Sequence, residues 1–340
     1  MPRAKLNATL QLMRPSLTRL MCALALAAVP AWAAPADPAQ QSYADAWWTG
    51  PLVAASPSAL PRGHFLVEPY LYDVVAYGTY DSQGRRHAGA QTDDVRSLSY
   101  LLYGLTDRCS VGVLPRFGYN AGGEGTHSTS VQAGDLSLHA HYQFLRFREH
   151  HWPPALALVI EETLPTGRYD HLGSHPGDGL GAGVYATTLG IYSQRYFWAP
   201  NGRIVRTRLD ASYTHSNQAS LQDVSVYGTQ AGFQGDAAPG DSIVIDSAWE
   251  YSLTQSWVLA LDISYERDAS THVTGQNTAT GAPPTPVRMA SGTSTAWALA
   301  PAVEYNWSGN VGVIVGTKAT VAGRNASAQL IPIVAVNWVR

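Results

Sequence analysis

The sequence predicts an all-β fold: a transmembrane antiparallel up-and-down β-barrel of about twelve strands, with short periplasmic turns and long extracellular loops. Three observations carry this expectation. They are a cleavable export segment, period-two alternation of apolar and polar residues from His64 onward, and connections that alternate between short and long.

The export segment comes first. Arg3, Lys5, Arg14 and Arg19 form a basic region without an acid, Leu20 to Val29 is apolar, and Ala31-Trp32-Ala33 is a small-residue cleavage site. The apolar run is shorter than the roughly 20 residues a helix needs to cross a bilayer. Residues 1–33 are therefore expected to be a signal peptide. Cys22 precedes most of the apolar run, which argues against a lipoprotein cysteine. Residues 34–63 follow as a Pro/Ala-rich stretch containing Trp47-Trp48, compatible with a periplasmic position or with a plug in the lumen. Residues 64–340 are expected to form the barrel.

Composition narrows the class. Loss of the four basic residues leaves 18 Lys+Arg against 25 Asp+Glu, so nothing points to nucleic acid. Cys109 is the one cysteine left, which excludes an internal disulfide and a cysteine-based zinc site. Charged residues are only 14% of the chain, against about a quarter in ordinary globular proteins, while Tyr (18), Trp (10) and Gly (31) are plentiful. A transmembrane barrel has this balance because alternate residues face lipid.

The alternation is clearest at Trp257, Leu259, Leu261, Ile263 and Tyr265, which oppose Asp262, Ser264 and Glu266. Comparable patterns run through 135–144, 205–214, 243–253 and 296–307. Short links at 105–108, 148–152, 199–202, 254–256 and 308–310 separate long Gly/Ser/Thr/Asn-rich stretches at 81–92, 120–130, 167–179, 217–240 and 269–292. Trp152, Trp198, Trp257 and Trp307 lie at short links and Trp338 near the C-terminus, as expected of indoles marking one membrane boundary. Pro301 and Pro332 fall inside predicted strands, where bulges are the expected accommodation. The sequence ends Trp338-Val339-Arg340, whereas barrels of this kind commonly end on an aromatic residue.

Strand parity then assigns a pore lining. Arg96, Arg116, Asp135, His139, His141, Arg206, Arg208, Asp210, Asp246, Glu250, Asp262 and Glu304, with Lys318, are expected to face the lumen. An Arg or Lys facing lipid at the midplane would cost about 2–4 kcal/mol.

Gly134–Phe144 (GDLSLHAHYQF), Pro154–Gly167 (PALALVIEETLPTG) and Tyr103–Tyr119 (YGLTDRCSVGVLPRFGY) resemble the MetA-pathway phenol-degradation outer-membrane family, as does the lead-in Trp47–Tyr72. The likeness runs from about Trp47 to the C-terminus and is most specific in its first half. It implies a bacterial outer-membrane transporter associated with aromatic catabolism. It implies no cofactor and carries over no catalytic motif. The expected function is passive uptake of small aromatic or hydrophobic compounds, with outer-membrane lipid and a small-molecule solute as partners. The alternatives are a non-conducting structural or surface-interaction barrel and a lipid-modifying enzyme.

His215, Ser216 and Asn217 hold lipase-type residues, but neighbours on a strand point to opposite faces. His139 and His141 share a face and could ligate a metal, yet no convergent acids accompany them. His150 and His151 diverge, and Glu161 and Glu162 cannot act as a facing pair. The chain is accordingly expected not to be an enzyme.

Overall fold

The computed structural model describes residues 40–122, 127–149, 151–278 and 283–340. The expected signal peptide (residues 1–33), the first residues of the 34–63 stretch and His150 lie outside the described residues. The strands are β1 (Phe65–Tyr80), β2 (Arg86–Thr106), β3 (Cys109–Leu114), β4 (Arg116–Asn120), β5 (Gln132–Ala133), β6 (Leu136–Leu145), β7 (Ala155–Leu164), β8 (Ala186–Trp198) and β9 (Ile204–Ser216). They continue as β10 (Ala219–Gln222), β11 (Phe233–Ala238), β12 (Ser242–Ser252), β13 (Trp257–Asp268), β14 (His272–Asn277), β15 (Thr285–Ala290), β16 (Ser294–Ser308), β17 (Val311–Arg324) and β18 (Ala326–Val339).

Every pairing is antiparallel, and β1 bonds both β2 and β18, so the large sheet closes on itself. β3 and β4 are halves of one stave interrupted at Pro115, whose carbonyl still accepts the Ser99 N–H at 3.2 Å. β5 and β6 likewise follow one another along a single stave. The wall is a twelve-stave barrel without a free edge, which satisfies the backbone in a medium that offers no water.

The alternation read from the sequence sorts the faces. Leu209 and Trp249 are 55% and 52% exposed on the outer surface, while their polar neighbours Arg208 and Glu250 are buried inside. Trp152, Trp257, Trp307 and Trp338 are exposed at the short-turn end. Trp198 departs from this belt. Its parity turns it inward, where its indole N–H donates to the Gln41 carbonyl at 2.9 Å, and Phe197 takes the outer position.

Three other expectations need correction. Residues 81–92 are not a long loop, because β2 begins at Arg86 and the chain reverses in a tight turn. The Asp81 carboxylate accepts the N–H groups of Gln83 (2.8 Å) and Arg85 (2.9 Å), and Gly84 takes φ +80°. Residues 217–240 and 269–292 are not simple loops either. They carry a second sheet in the order β10-β11-β14-β15, packed through Leu221, Phe233, Ala237 and Val273. Their Gly/Ser/Thr composition hid short strands that pair only with each other. Finally, Pro301 and Pro332 cause no bulge. Leu299↔Ala319 and Ala302↔Gly316 keep one register across Pro301, and Pro332 stands opposite Thr317. The two prolines therefore flank the same residue of β17, and the ladder loses rungs rather than shifting.

Candidate lumen site

Residues 40–63 enter the barrel from the short-turn end. Gln41 donates its backbone N–H to Gly202 at 2.8 Å, and Trp47 donates to Gln255 at 2.9 Å, which ties the segment to two of the short turns. Tyr43 packs edge-on against Phe147 and Tyr196, with ring centroids 5.7 and 5.1 Å apart. The chain then crosses the lumen, and inward carboxylates take its backbone donors. Glu304 accepts from Thr49 (2.7 Å) and Gly50 (3.1 Å), and Asp262 accepts from Leu52 (3.1 Å), Val53 (3.2 Å) and Ala54 (3.0 Å). Thr49, Leu52 and Ala54 are buried, so their N–H groups take protein acceptors. On the return, Leu60 donates to the Ser110 hydroxyl at 2.8 Å and Arg62 to Asp107 at 3.1 Å. Gly312 makes room for the crossing: a Cβ there would sit 2.0 Å from the Thr49 hydroxyl oxygen.

Most of the residues assigned to the interior form two groups around this segment. Arg206 forks onto Glu250, donating from Nε at 2.6 Å and from Nη2, and its guanidinium lies 4.5 Å from the Trp48 ring centroid. Arg208 donates to Gln194 at 3.1 Å and to the Ala54 carbonyl at 2.8 Å. Glu250, Asp262 and Glu304 are fully buried. The second group lies toward the outer end. Arg116 donates to Ser137 (2.5 Å) and to Glu161 (3.3 Å), Glu161 lies 3.6 Å from His139, and His139 meets His141 at 3.4 Å. Asp246 accepts from Ser264 at 2.5 Å, while Asp210, opposite it in register, accepts from the Ser193 N–H at 3.3 Å. Arg96 stands apart from both groups, bonded to Asn120 and 3.4 Å from Asp94.

Between the segment and the β1–β2–β18 wall lies a cavity of about 520 Å³. That volume is in the range of small-molecule sites. Its wall is not the polar one that alternation leads one to expect. Tyr70, Tyr72, Leu98, Tyr100, Ile331 and Ile333 face it, with Tyr192, His139, His141, Arg208 and Lys318 on the remaining sides. Sequence parity missed this apolar half because β1 and β2 break the apolar-out rule. Ser97 and Ser99 share the outward parity of Val95 and Leu101, which puts Leu98 and Tyr100 inside. The reversed polarity of that stretch was the available signal.

At the outer end, Asp135 accepts the N–H groups of Gly167 (2.8 Å) and Ala182 (2.7 Å). Residues 180–182 and 226–227 meet Arg116 and Asp135 around a smaller cavity of about 330 Å³. Tyr227 donates to the Ala182 carbonyl at 2.6 Å, and burial pushes its hydroxyl up to about 12. Asp178 accepts from the Thr129 N–H at 2.7 Å, which holds its carboxyl below the usual range.

The catalytic candidates do not assemble. His215 meets Asp241 at 2.7 Å, and the same carboxylate accepts from Tyr213 at 2.6 Å, but Ser216 has the opposite parity. Among the described residues no group of three or more His, Cys, Asp or Glu side chains is placed to hold a metal ion. Glu161 points inward and Glu162 outward, where it accepts from Thr187 at 2.6 Å.

A closed antiparallel barrel with an apolar outer face and an aromatic rim defines an outer-membrane protein, and the chain is one of the bacterial outer membrane. It belongs to the family described as "Putative MetA-pathway of phenol degradation", whose model matches residues 75–330. Among solved structures it resembles the COG4313 outer membrane channel from Pseudomonas putida F1. The TM-score is 0.62 at 16% identity, over 85% of this chain and 100% of that one. The translocator domain of the autotransporter NalP from Neisseria meningitidis matches with a TM-score of 0.41 at 12% identity, over 82% and 89% of the two chains. The Pseudomonas putida toluene transporter TodX matches with a TM-score of 0.34 at 11% identity, over 87% and 95%. No curated protein matches the chain.

Proposed function

We propose that the protein is a channel for passive uptake of small aromatic or otherwise hydrophobic compounds, without catalysis of its own. The observation that carries this reading is the lumen cavity of about 520 Å³, whose Leu, Ile and Tyr wall suits an apolar solute better than water or ions. Arg96, Arg116, Asp135, His139, His141, Arg206, Arg208, Asp210, Asp246, Glu250, Asp262 and Glu304 serve as the polar lining. Several of them hold residues 49–60 across the short-turn end, so the segment acts as a plug that must shift for solute to leave. Family membership supports a role linked to aromatic compounds, and the barrel is a fold shared with an outer membrane channel.

The test is uptake of a labelled small aromatic by outer-membrane vesicles that contain or lack the chain. Vesicles with the chain should fill faster, and equal rates with the barrel verified as folded would reject the reading. The plug also supports a second reading, a closed structural barrel, which the same equal rates would favour.

A further inference from the structure

The apolar wall of the lumen cavity carries three hydroxyls that the fold does not use. Tyr72 of β1, Tyr100 of β2 and Tyr192 of β8 all line the cavity. Tyr100 lies edge-on to Tyr70 with centroids 6.0 Å apart, and both Tyr72 and Tyr192 are within electrostatic range of it. Among the described residues no protein group hydrogen-bonds any of the three hydroxyls. Some other tyrosines of the chain do have hydroxyl partners. Tyr213 donates to Asp241, Tyr227 donates to Ala182, and Tyr251 accepts from Asn201, each at 2.6 Å. A sheltered tyrosine hydroxyl ordinarily finds a partner, because leaving it without one costs free energy. A wall built only to pass hydrocarbon would need no such groups: phenylalanine fills the same space without a hydroxyl to desolvate.

We infer that Tyr72, Tyr100 and Tyr192 form an oxygen-reading patch. The favoured solute is an uncharged, planar, mainly apolar molecule bearing a hydroxyl or carbonyl, in preference to the hydrocarbon of the same shape. The ring of such a molecule would lie against Leu98, Ile331 and Ile333 while its oxygen exchanges water for tyrosine hydroxyls. This inference rests on the uptake reading and adds the selectivity that the cavity would impose.

The test uses p-cresol and p-xylene, which differ by a hydroxyl in place of a methyl group. Their binding to the full chain in detergent would be measured by equilibrium dialysis against detergent alone. One net hydrogen bond predicts about fivefold tighter binding of p-cresol than of p-xylene, after subtraction of micelle partition. In a Tyr72→Phe, Tyr100→Phe, Tyr192→Phe variant the ratio should fall to about one with p-xylene binding unchanged. Equal binding of the two probes by the wild type, or a preference that survives in the variant, would overturn the inference. Binding of neither probe would instead overturn the uptake reading itself. The three single variants, each expected to lose part of the preference, serve if the triple variant fails to fold.

Discussion

Replacing Asp262 by alanine should loosen the N-terminal segment from the lumen. The carboxylate accepts three backbone N–H groups, from Leu52, Val53 and Ala54, at 3.0–3.2 Å. A hydrogen bond to a charged group contributes about 1.5–3 kcal/mol, so the three together stabilise the docked segment by several kcal/mol. Burying a carboxylate costs several kcal/mol in return. The balance is a net loss of about 3 kcal/mol on substitution, which raises the population of the detached segment roughly a hundredfold. Single-channel recording in planar bilayers reads this directly, with more frequent or larger openings for Asp262→Ala than for wild type. Proteolysis of the 40–63 stretch should accelerate in parallel. Unchanged conductance and unchanged proteolysis, in a barrel that still shows heat-modifiable migration, would refute the view that this carboxylate holds the segment.

Removal of the Arg206 guanidinium in Arg206→Met leaves Glu250 buried without its forked partner, and should destabilise the protein by about 3–5 kcal/mol in thermal unfolding. Leu261→Lys, which puts a charge on the lipid face one residue from Asp262, should cost about 2–4 kcal/mol in refolding into lipid. The turn at the outer end of β1 should respond to acid. Chiefly its hydrogen bond with His87 holds the Asp81 carboxyl down at about 2, with the Arg85 and Gln83 N–H groups contributing. A lowered carboxyl stabilises the folded turn fully above its unfolded value of about 4. That contribution disappears as pH falls toward 2, so the Gln83 and Arg85 amide resonances should move over this window.

Much of the barrel was legible because lipid and lumen impose opposite demands on alternate residues. Trp257–Tyr265 could be placed on the outer face and Asp262 on the inner one from parity alone. The buried position of Arg206 and Glu250 followed from the same rule. What parity could not supply was the content of the lumen. Residues 49–54 carry no periodic pattern, since they are irregular backbone whose N–H groups are taken up by lumen carboxylates. The apolar half of the cavity was hidden because Leu98 and Tyr100 are sheltered by the N-terminal segment, so the inside of β2 need not be polar. Trp198 was misplaced for a related reason: an indole at a short turn suits a lipid boundary, but here it binds the Gln41 carbonyl. The outer sheet of β10, β11, β14 and β15 escaped because its partners lie in two different loops.

The claim that solute passes through the lumen is tested most directly by a matched pair of bulky substitutions on β2. Leu98 lines the cavity, whereas Leu101 faces lipid. In the vesicle uptake assay, Leu98→Trp should fill the cavity and slow entry of the labelled aromatic severalfold, while Leu101→Trp should leave the rate at the wild-type value. Equal rates for both variants and the wild type would contradict a route through this cavity.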